Sequence, residues 1–189
     1  MKDNLYNILM SDDVVKSIND NLDDLLFIIP EIKDMIGFEH KHPHHHLDVW
    51  NHTLLALSLS EKDFIIRLVL LLHDIGKPHS YQDSEVRHFK NHPVMSAEIS
   101  INILKRLEFS DSDIYTICYL IKEHDSPIKD EEIVVDKDLA LTKFKIQLCD
   151  ALAHNPLKLE KRINYLLDMN NKVNDIDEQE KYKKFLLKI

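Results

Sequence analysis

The chain has 189 residues, a net charge of −9 at neutral pH, and only two glycines and six prolines. That length allows one domain with a sizeable core. So few turn-forming residues argue against a β-protein and for an all-α one, and the negative charge argues against a surface built for the nucleic-acid backbone. Cys118 and Cys149 sit in apolar helical patterns, Met1-Lys2-Asp3-Asn4 does not open a signal peptide, and no apolar run reaches the length of a membrane span. The expectation is a cytoplasmic protein with reduced thiols and no membrane partner. Twelve histidines are the outlier in the composition, and imidazole both titrates near neutrality and ligates metals.

Residues 2–10 and 12–29 carry apolar side chains at helical spacing, among them Leu5, Ile8, Leu9, Val14, Ile18, Leu22 and Leu25, and predict two or three scaffold helices. Pro30 opens a short segment closed by Gly37. Next comes His40-Lys41-His42-Pro43-His44-His45-His46, which has no apolar period and contains a proline, so it predicts a loop bordering a pocket with one histidine turned inward.

The helical pattern resumes over residues 48–59, and Ser60 with Asp63 resembles the start of the next helix. That helix, 64–72, is apolar except for Arg67 and ends in His73-Asp74-Ile75-Gly76-Lys77-Pro78, with Gly76 read as its stop and Pro78 as a bar to continuation. A helix C-terminus presents unpaired carbonyls and the negative end of the dipole, so an aspartate placed there needs a cation. A metal ion would satisfy the carbonyl end and the carboxylate together.

Residues 80–90 are polar and irregular, His92-Pro93 opens a helix, and Ser110 starts another that ends at His124-Asp125 before Pro127. Residues 131–136 read as a short acidic linker. A helix over 139–153 embeds Asp150 between Cys149 and Ala151, and two amphipathic stretches, 157–169 and 176–187, finish the chain.

His52, His73-Asp74, His124-Asp125 and Asp150 therefore fall where their neighbours are buried, and His92 opens a further helix. Burying so many titratable groups is costly unless they are paired. Mixed imidazole and carboxylate donors suit divalent iron, manganese or zinc, and six or more ligands exceed one tetrahedral zinc, which points to two ions sharing Asp74.

The ordered set His52, His73-Asp74 and Asp150 resembles the HD superfamily of metal-dependent phosphohydrolases, with His92 and His124 in the place of the extra ligands of its two-metal members. More narrowly, Asp48-Val49-Trp50-Asn51-His52-Thr53-Leu54, His73-Asp74-Ile75-Gly76-Lys77-Pro78, His88-Phe89-Lys90-Asn91-His92 and Cys149-Asp150-Ala151 resemble the HD domain of bacterial CCA-adding tRNA nucleotidyltransferases, over about residues 30–156. The nucleotidyltransferase head is absent from the sequence, so no nucleotide-adding activity is implied. Glu85-Val86-Arg87 and Asn91 stand where those relatives have glycines, which bears on the shape of the pocket rim.

The resemblance implies an all-α HD-domain bundle: scaffold helices at 1–36, an HD core at 37–156 and C-terminal helices at 157–189. It implies hydrolysis of a phosphate ester or anhydride, in a nucleotide, by a metal-activated hydroxide. His52, His73, Asp74, His92, His124 and Asp150 would be metal ligands, with Asp74 and Lys77 catalytic and Lys77 and His88 holding phosphate. His92 and His124 have an alternative role in phosphate binding, Lys77 as a helix-end cation, and His88 as a solvated loop residue; Trp50 and Phe89 read as packing residues. Two further functions remain open: a cyclic-nucleotide phosphodiesterase, opening 2′,3′ or 3′,5′ rings, and a non-catalytic RNA-associated module, which the net charge disfavours.

Overall fold

A computed structural model describes residues 1–82 and 85–186, and among these there are helices and turns but no strand. The scaffold before Pro30 consists of three helices: α1 (Lys2–Leu9), α2 (Val14–Asp20) and α3 (Leu22–Ile28), followed by a 3-10 turn (Pro30–Asp34). Asn21 separates α2 from α3, its side-chain amide donating to the Ser17 carbonyl at 2.8 Å.

Helix α4 (Val49–Ser58) is opened by Asp48, whose carboxylate accepts from Asn51 N at 2.8 Å. Helix α5 (Phe64–Leu72) is opened by Asp63, which accepts from Ile66 N at 2.9 Å; Ser60 instead closes α4 by donating to the Leu57 carbonyl at 2.6 Å. Arg67, the polar residue in the apolar run, is buried with Nη1 donating to the carbonyls of Leu9 and Ser11 at 2.6 and 2.8 Å. It thereby fastens the end of α1 to α5.

The turn after α5 corrects two expectations. Gly76 has φ −83°, so it is not a left-handed helix stop. A Cβ there would lie 2.5 Å from Ser96 N and 2.9 Å from the His92 carbonyl, so the glycine is required by the close approach of α7 (His92–Arg106). Pro78 does not end the helical run either. It lies in the first turn of a short helix, α6 (Lys77–Ser80), where its missing N–H costs nothing.

Ser110 caps α8 (Asp111–Lys122), accepting from Asp113 N at 3.2 Å. The expected acidic linker is a helix, α9 (Asp130–Val135): Asp130, Glu131 and Glu132 stand in its first turn, where the dipole favours anions, and Glu132 accepts from Lys129 N at 2.6 Å. The rest comprises α10 (Lys137–Leu152), a 3-10 turn (Pro156–Lys158), α11 (Glu160–Val173) and α12 (Ile176–Leu186). Leu187, the end of the last predicted stretch, lies outside the described residues.

Two apolar clusters form the interior. The larger joins α1–α5, α7 and α8, with Ile146, Cys149 and Ala153 from the α10 region. The smaller joins Phe144, Leu148 and Ala151 of α10 to Leu166, Met169 and Val173 of α11 and to Tyr182 and Leu186 of α12. A helix that is apolar on two faces is buried between them. Asp150 is carried on that shared helix, and this is how a carboxylate reaches the interior.

Candidate metal centre

Four histidines reach one point from four places in the fold. His52 comes from α4, His73 from the turn after α5, His92 from the first residue of α7 and His124 from just past α8. In each, Nδ1 faces a backbone carbonyl: His52 with Ala153 at 3.2 Å, His73 with Leu70 at 2.7 Å, His92 with Phe89 at 3.0 Å and His124 with Ile121 at 2.7 Å. A carbonyl only accepts, so each Nδ1 carries the hydrogen and each neutral ring turns the lone pair of Nε2 inward.

Those lone pairs meet other acceptors. His52 Nε2 is 3.0 Å from Asp150 Oδ1 and 3.7 Å from Asp74 Oδ2, and His73 Nε2 is 3.3 Å from Asp74 Oδ2 and 3.6 Å from Asp150 Oδ1. On the other side of Asp74, Oδ1 lies 3.3 Å from His92 Nε2 and 3.9 Å from His124 Nε2. The carboxylate thus has one oxygen toward each pair of imidazoles.

Hydrogen bonding within the protein does not satisfy this arrangement. His73 Nε2 and both carboxylate oxygens of Asp74 are buried without a hydrogen-bond partner among the described residues; Lys77 Nζ, 2.7 Å from Asp74 Oδ2, lies off the bonding direction. Acceptors that converge in this way are reconciled by a cation between them, either a proton or a metal. Burial alone would push His73 down, but the neighbouring Asp74 and Asp150 carboxylates outweigh it and hold the imidazole up at about 10. Asp74 and Asp150 resist the upward push of burial and stay well below the carboxylate range, Asp74 through His73 and Lys77 and Asp150 through His154 and Arg162. Among the described residues, donor atoms close enough to hold an ion occur in three groups: His52 with His73 and Asp74, His52 with Asp150 and His154, and Asp74 with His92 and His124. The residues present fit divalent metal.

The structure brings together all six residues proposed as ligands from the sequence, with Lys77 beside them. Lys77 is 4% exposed and held between Asp74 Oδ2 and His40 Nε2, the latter at 3.0 Å. His40 gives its Nδ1 hydrogen to the Leu47 carbonyl at 2.8 Å, and burial and the neighbouring Lys77 charge push it down to about 2, so it stays neutral and accepts from the ammonium. Lys77, His92, His124 and Asp150 line a cleft of about 630 Å³, together with His88 and Phe89, and Asp74 lies buried behind them. His88 is exposed there, while Trp50 is buried in the core.

Of His42, His44, His45 and His46, it is His45 that packs against buried rings, next to the buried His40. It stacks flat on His40 with ring centroids 3.7 Å apart and lies 4.4 Å from the ring of His154. Sequence reasoning passed over His40, His154 and Arg162. His154 is buried beside Asp150, its Nδ1 donating to the Asp150 carbonyl at 2.8 Å, and it is pushed down to about 4 by burial against the pull of Asp150. Its position four residues after Asp150, at the end of the same helix, is a signal that a helical projection would have caught. Arg162 leaves no such signal, because it is one of three basic residues within 158–162 and its partners are distant in sequence.

The HD domain family matches residues 44–169, a span that contains all six candidate ligands. The A-adding tRNA nucleotidyltransferase of Deinococcus radiodurans is 31% identical over 134 residues, which cover 66% of this chain and 31% of that protein. The CC-adding tRNA nucleotidyltransferase of Thermus thermophilus is 30% identical over 132 residues, covering 66% of this chain and 29% of that protein. The chain therefore spans less than a third of the length of these relatives. The all-α bundle, the convergent imidazoles and carboxylates and the match over two thirds of the sequence agree: the chain belongs to the HD domain family.

Proposed function

We propose that this HD domain is a metal-dependent phosphohydrolase acting on a phosphate ester or anhydride of a nucleotide. The observation that carries the reading is Asp74, a buried carboxylate with each oxygen turned to a different pair of imidazoles, one pair of which, His92 and His124, lines the cleft. His52, His73, Asp74 and Asp150 would hold one ion, and Asp74, His92 and His124 a second. Nitrogen and carboxylate donors favour iron, manganese or zinc over calcium. A pair of divalent cations supplies a nucleophilic water at neutral pH and offsets charge on phosphoryl oxygens.

The protein's own groups do the rest. The Nδ1 bonds to backbone carbonyls keep four imidazoles in the ligating tautomer. Lys77, held by His40 and lining the cleft, meets a phosphate oxygen with an N–H that His40 does not take. His88, at the rim, contacts the more distant part of the substrate.

The test begins with metal analysis of protein purified without chelator. A panel of phosphomonoesters, nucleoside di- and triphosphates and 2′,3′- and 3′,5′-cyclic nucleotides is then assayed with added manganese. Turnover of a member of that panel is expected, together with its loss, and loss of bound metal, in a helical Asp74→Ala variant. Unchanged turnover in that variant overturns the mechanism. Opening of a cyclic ring without release of inorganic phosphate favours the phosphodiesterase. The relatives are tRNA nucleotidyltransferases, so saturable RNA binding without turnover favours the binding module instead.

A further inference from the structure

Two residues that meet the metal-binding groups have no part in the reading above. Asp125 follows His124, and its Oδ2 lies 3.4 Å from His92 Nε2 and 3.7 Å from His124 Nε2. Its other oxygen, Oδ1, accepts from Arg162 Nη2 at 3.1 Å, and the same nitrogen donates to Asp150 Oδ2 at 2.7 Å. Each of the two carboxylates is divided. Asp150 points Oδ1 at His52 and His73 and gives Oδ2 to the arginine; Asp125 points Oδ2 at His92 and His124 and gives Oδ1 to the arginine.

One guanidinium from α11 is therefore bonded at once to a carboxylate beside the first pair of imidazoles and to a carboxylate beside the second. We infer that Asp125 is a further ligand of the second ion and that Arg162 is the positioning residue that couples the two ion sites, by setting the outer oxygens of Asp125 and Asp150 so that the inner ones face the metals. The inference rests on the pair of ions proposed above but not on the reaction.

Chemistry favours this assignment on two counts. With His92, His124 and one oxygen of Asp74 alone, the second ion has two neutral donors and a carboxylate it must share. A second carboxylate adds charge where the site is poorest in it. Asp125 and Asp150 also repel each other, and a planar guanidinium is the side chain that bridges two carboxylates without competing for the lone pairs that face the metals. Partners of metal ligands of this kind change affinity by about 10- to 100-fold when removed.

The experiment uses the full chain, stripped of metal and titrated with manganese, with isothermal calorimetry for stoichiometry and low-temperature electron paramagnetic resonance for the exchange-coupled pair. The wild type is expected to take two equivalents and give the coupled signal. Asp125→Asn should weaken the second equivalent by about tenfold or more, leave the first within about twofold and replace the coupled signal by that of an isolated ion, whereas Arg162→Met, which frees both Asp125 and Asp150, should weaken both equivalents by about tenfold or more. Arg162→Lys should fall between, and Asp125→Asn combined with Arg162→Met should be little worse at the second equivalent than either alone, because the two act through one contact. A wild-type protein that takes one equivalent overturns the inference. So does Asp125→Asn with both ions and the coupled signal intact, Arg162→Met with either equivalent at its wild-type affinity, or a double variant whose losses at the second equivalent add up, which is the result for an arginine that only holds α11 in place. Should Arg162→Met not fold, Asp125→Asn and Arg162→Lys decide. A coupled pair without turnover of any phosphate substrate would refute the hydrolase and leave the roles of Asp125 and Arg162 standing.

Discussion

His92 Nε2 and His124 Nε2 face each other across 3.4 Å, and each has already committed its Nδ1 hydrogen to a carbonyl. Two neutral rings so placed present lone pair to lone pair. Burial, the dominant influence on His124, pushes that ring down and disfavours a proton as the solution. A metal ion relieves the opposition. His92→Ala or His124→Ala should therefore remove one metal equivalent and spare the other, with a sharp fall in turnover; both variants keeping the full wild-type metal content would show a site of one ion.

His73 yields a pH dependence whose sign is fixed. Its imidazole is held up from 6.5 to about 10 in the folded, metal-free protein, so the proton it carries stabilises the fold fully below about 6.5 and that stability is lost as pH rises toward 10. A metal-free sample should accordingly lose melting temperature across that window, and the manganese-loaded protein should lose less, because the ion takes the proton's place. Calorimetry in two buffers of different ionisation enthalpy should register proton release on manganese binding at pH 7.5. A flat melting temperature from 6.5 to 10 without metal would contradict the assignment.

Gly76→Ala tests the packing under the site. The added methyl meets Ser96 N at 2.5 Å and the His92 carbonyl at 2.9 Å, backbone atoms that move only with α7. Overpacking of this kind costs about 1–3 kcal/mol. Because α7 begins with His92, chemical denaturation should show the destabilisation and a metal titration should show a weakened second equivalent; a variant equal to wild type in both measurements would mean that α7 shifts freely.

Lys77→Met removes the ammonium and keeps most of the side-chain volume. Metal content should persist, since Lys77 is not among the proposed ligands, while kcat/KM on a phosphate substrate should fall by at least about 10-fold, as for loss of a charged group that meets the phosphate. Metal loss in this variant would assign Lys77 to holding Asp74 in place.

His52, His73, Asp74 and Asp150 were legible because each interrupts an apolar helical pattern, and a titratable group whose neighbours are buried is itself drawn inside. The helices were legible for the same periodic reason. What escaped the sequence was decided by distant contacts or by competing local chemistry. Residues 131–136 read as an acidic linker because they are short and charged, yet Asp130, Glu131 and Glu132 in the first turn stabilise a helix start. Gly76 looked like a stop signal, and only the approach of Ser96, 20 residues on, explains it. Lys77 faces His40 across 37 residues, and Arg162 meets Asp125 across 37, separations at which no local pattern survives.

The distance along the chain between His52 and Asp150, 98 residues, also bears on when metal can be acquired. Synthesis proceeds from the N-terminus, so His52, His73 and His92 exist for some time without Asp150 and without α11 to complete the pocket. An emerging chain in that state is rich in imidazole and poor in placed carboxylate, a donor set that takes copper or zinc more readily than manganese. Selection among metals is then a property of the finished protein. A chain ending near residue 140 should bind zinc loosely and manganese not measurably, whereas the whole chain discriminates by geometry.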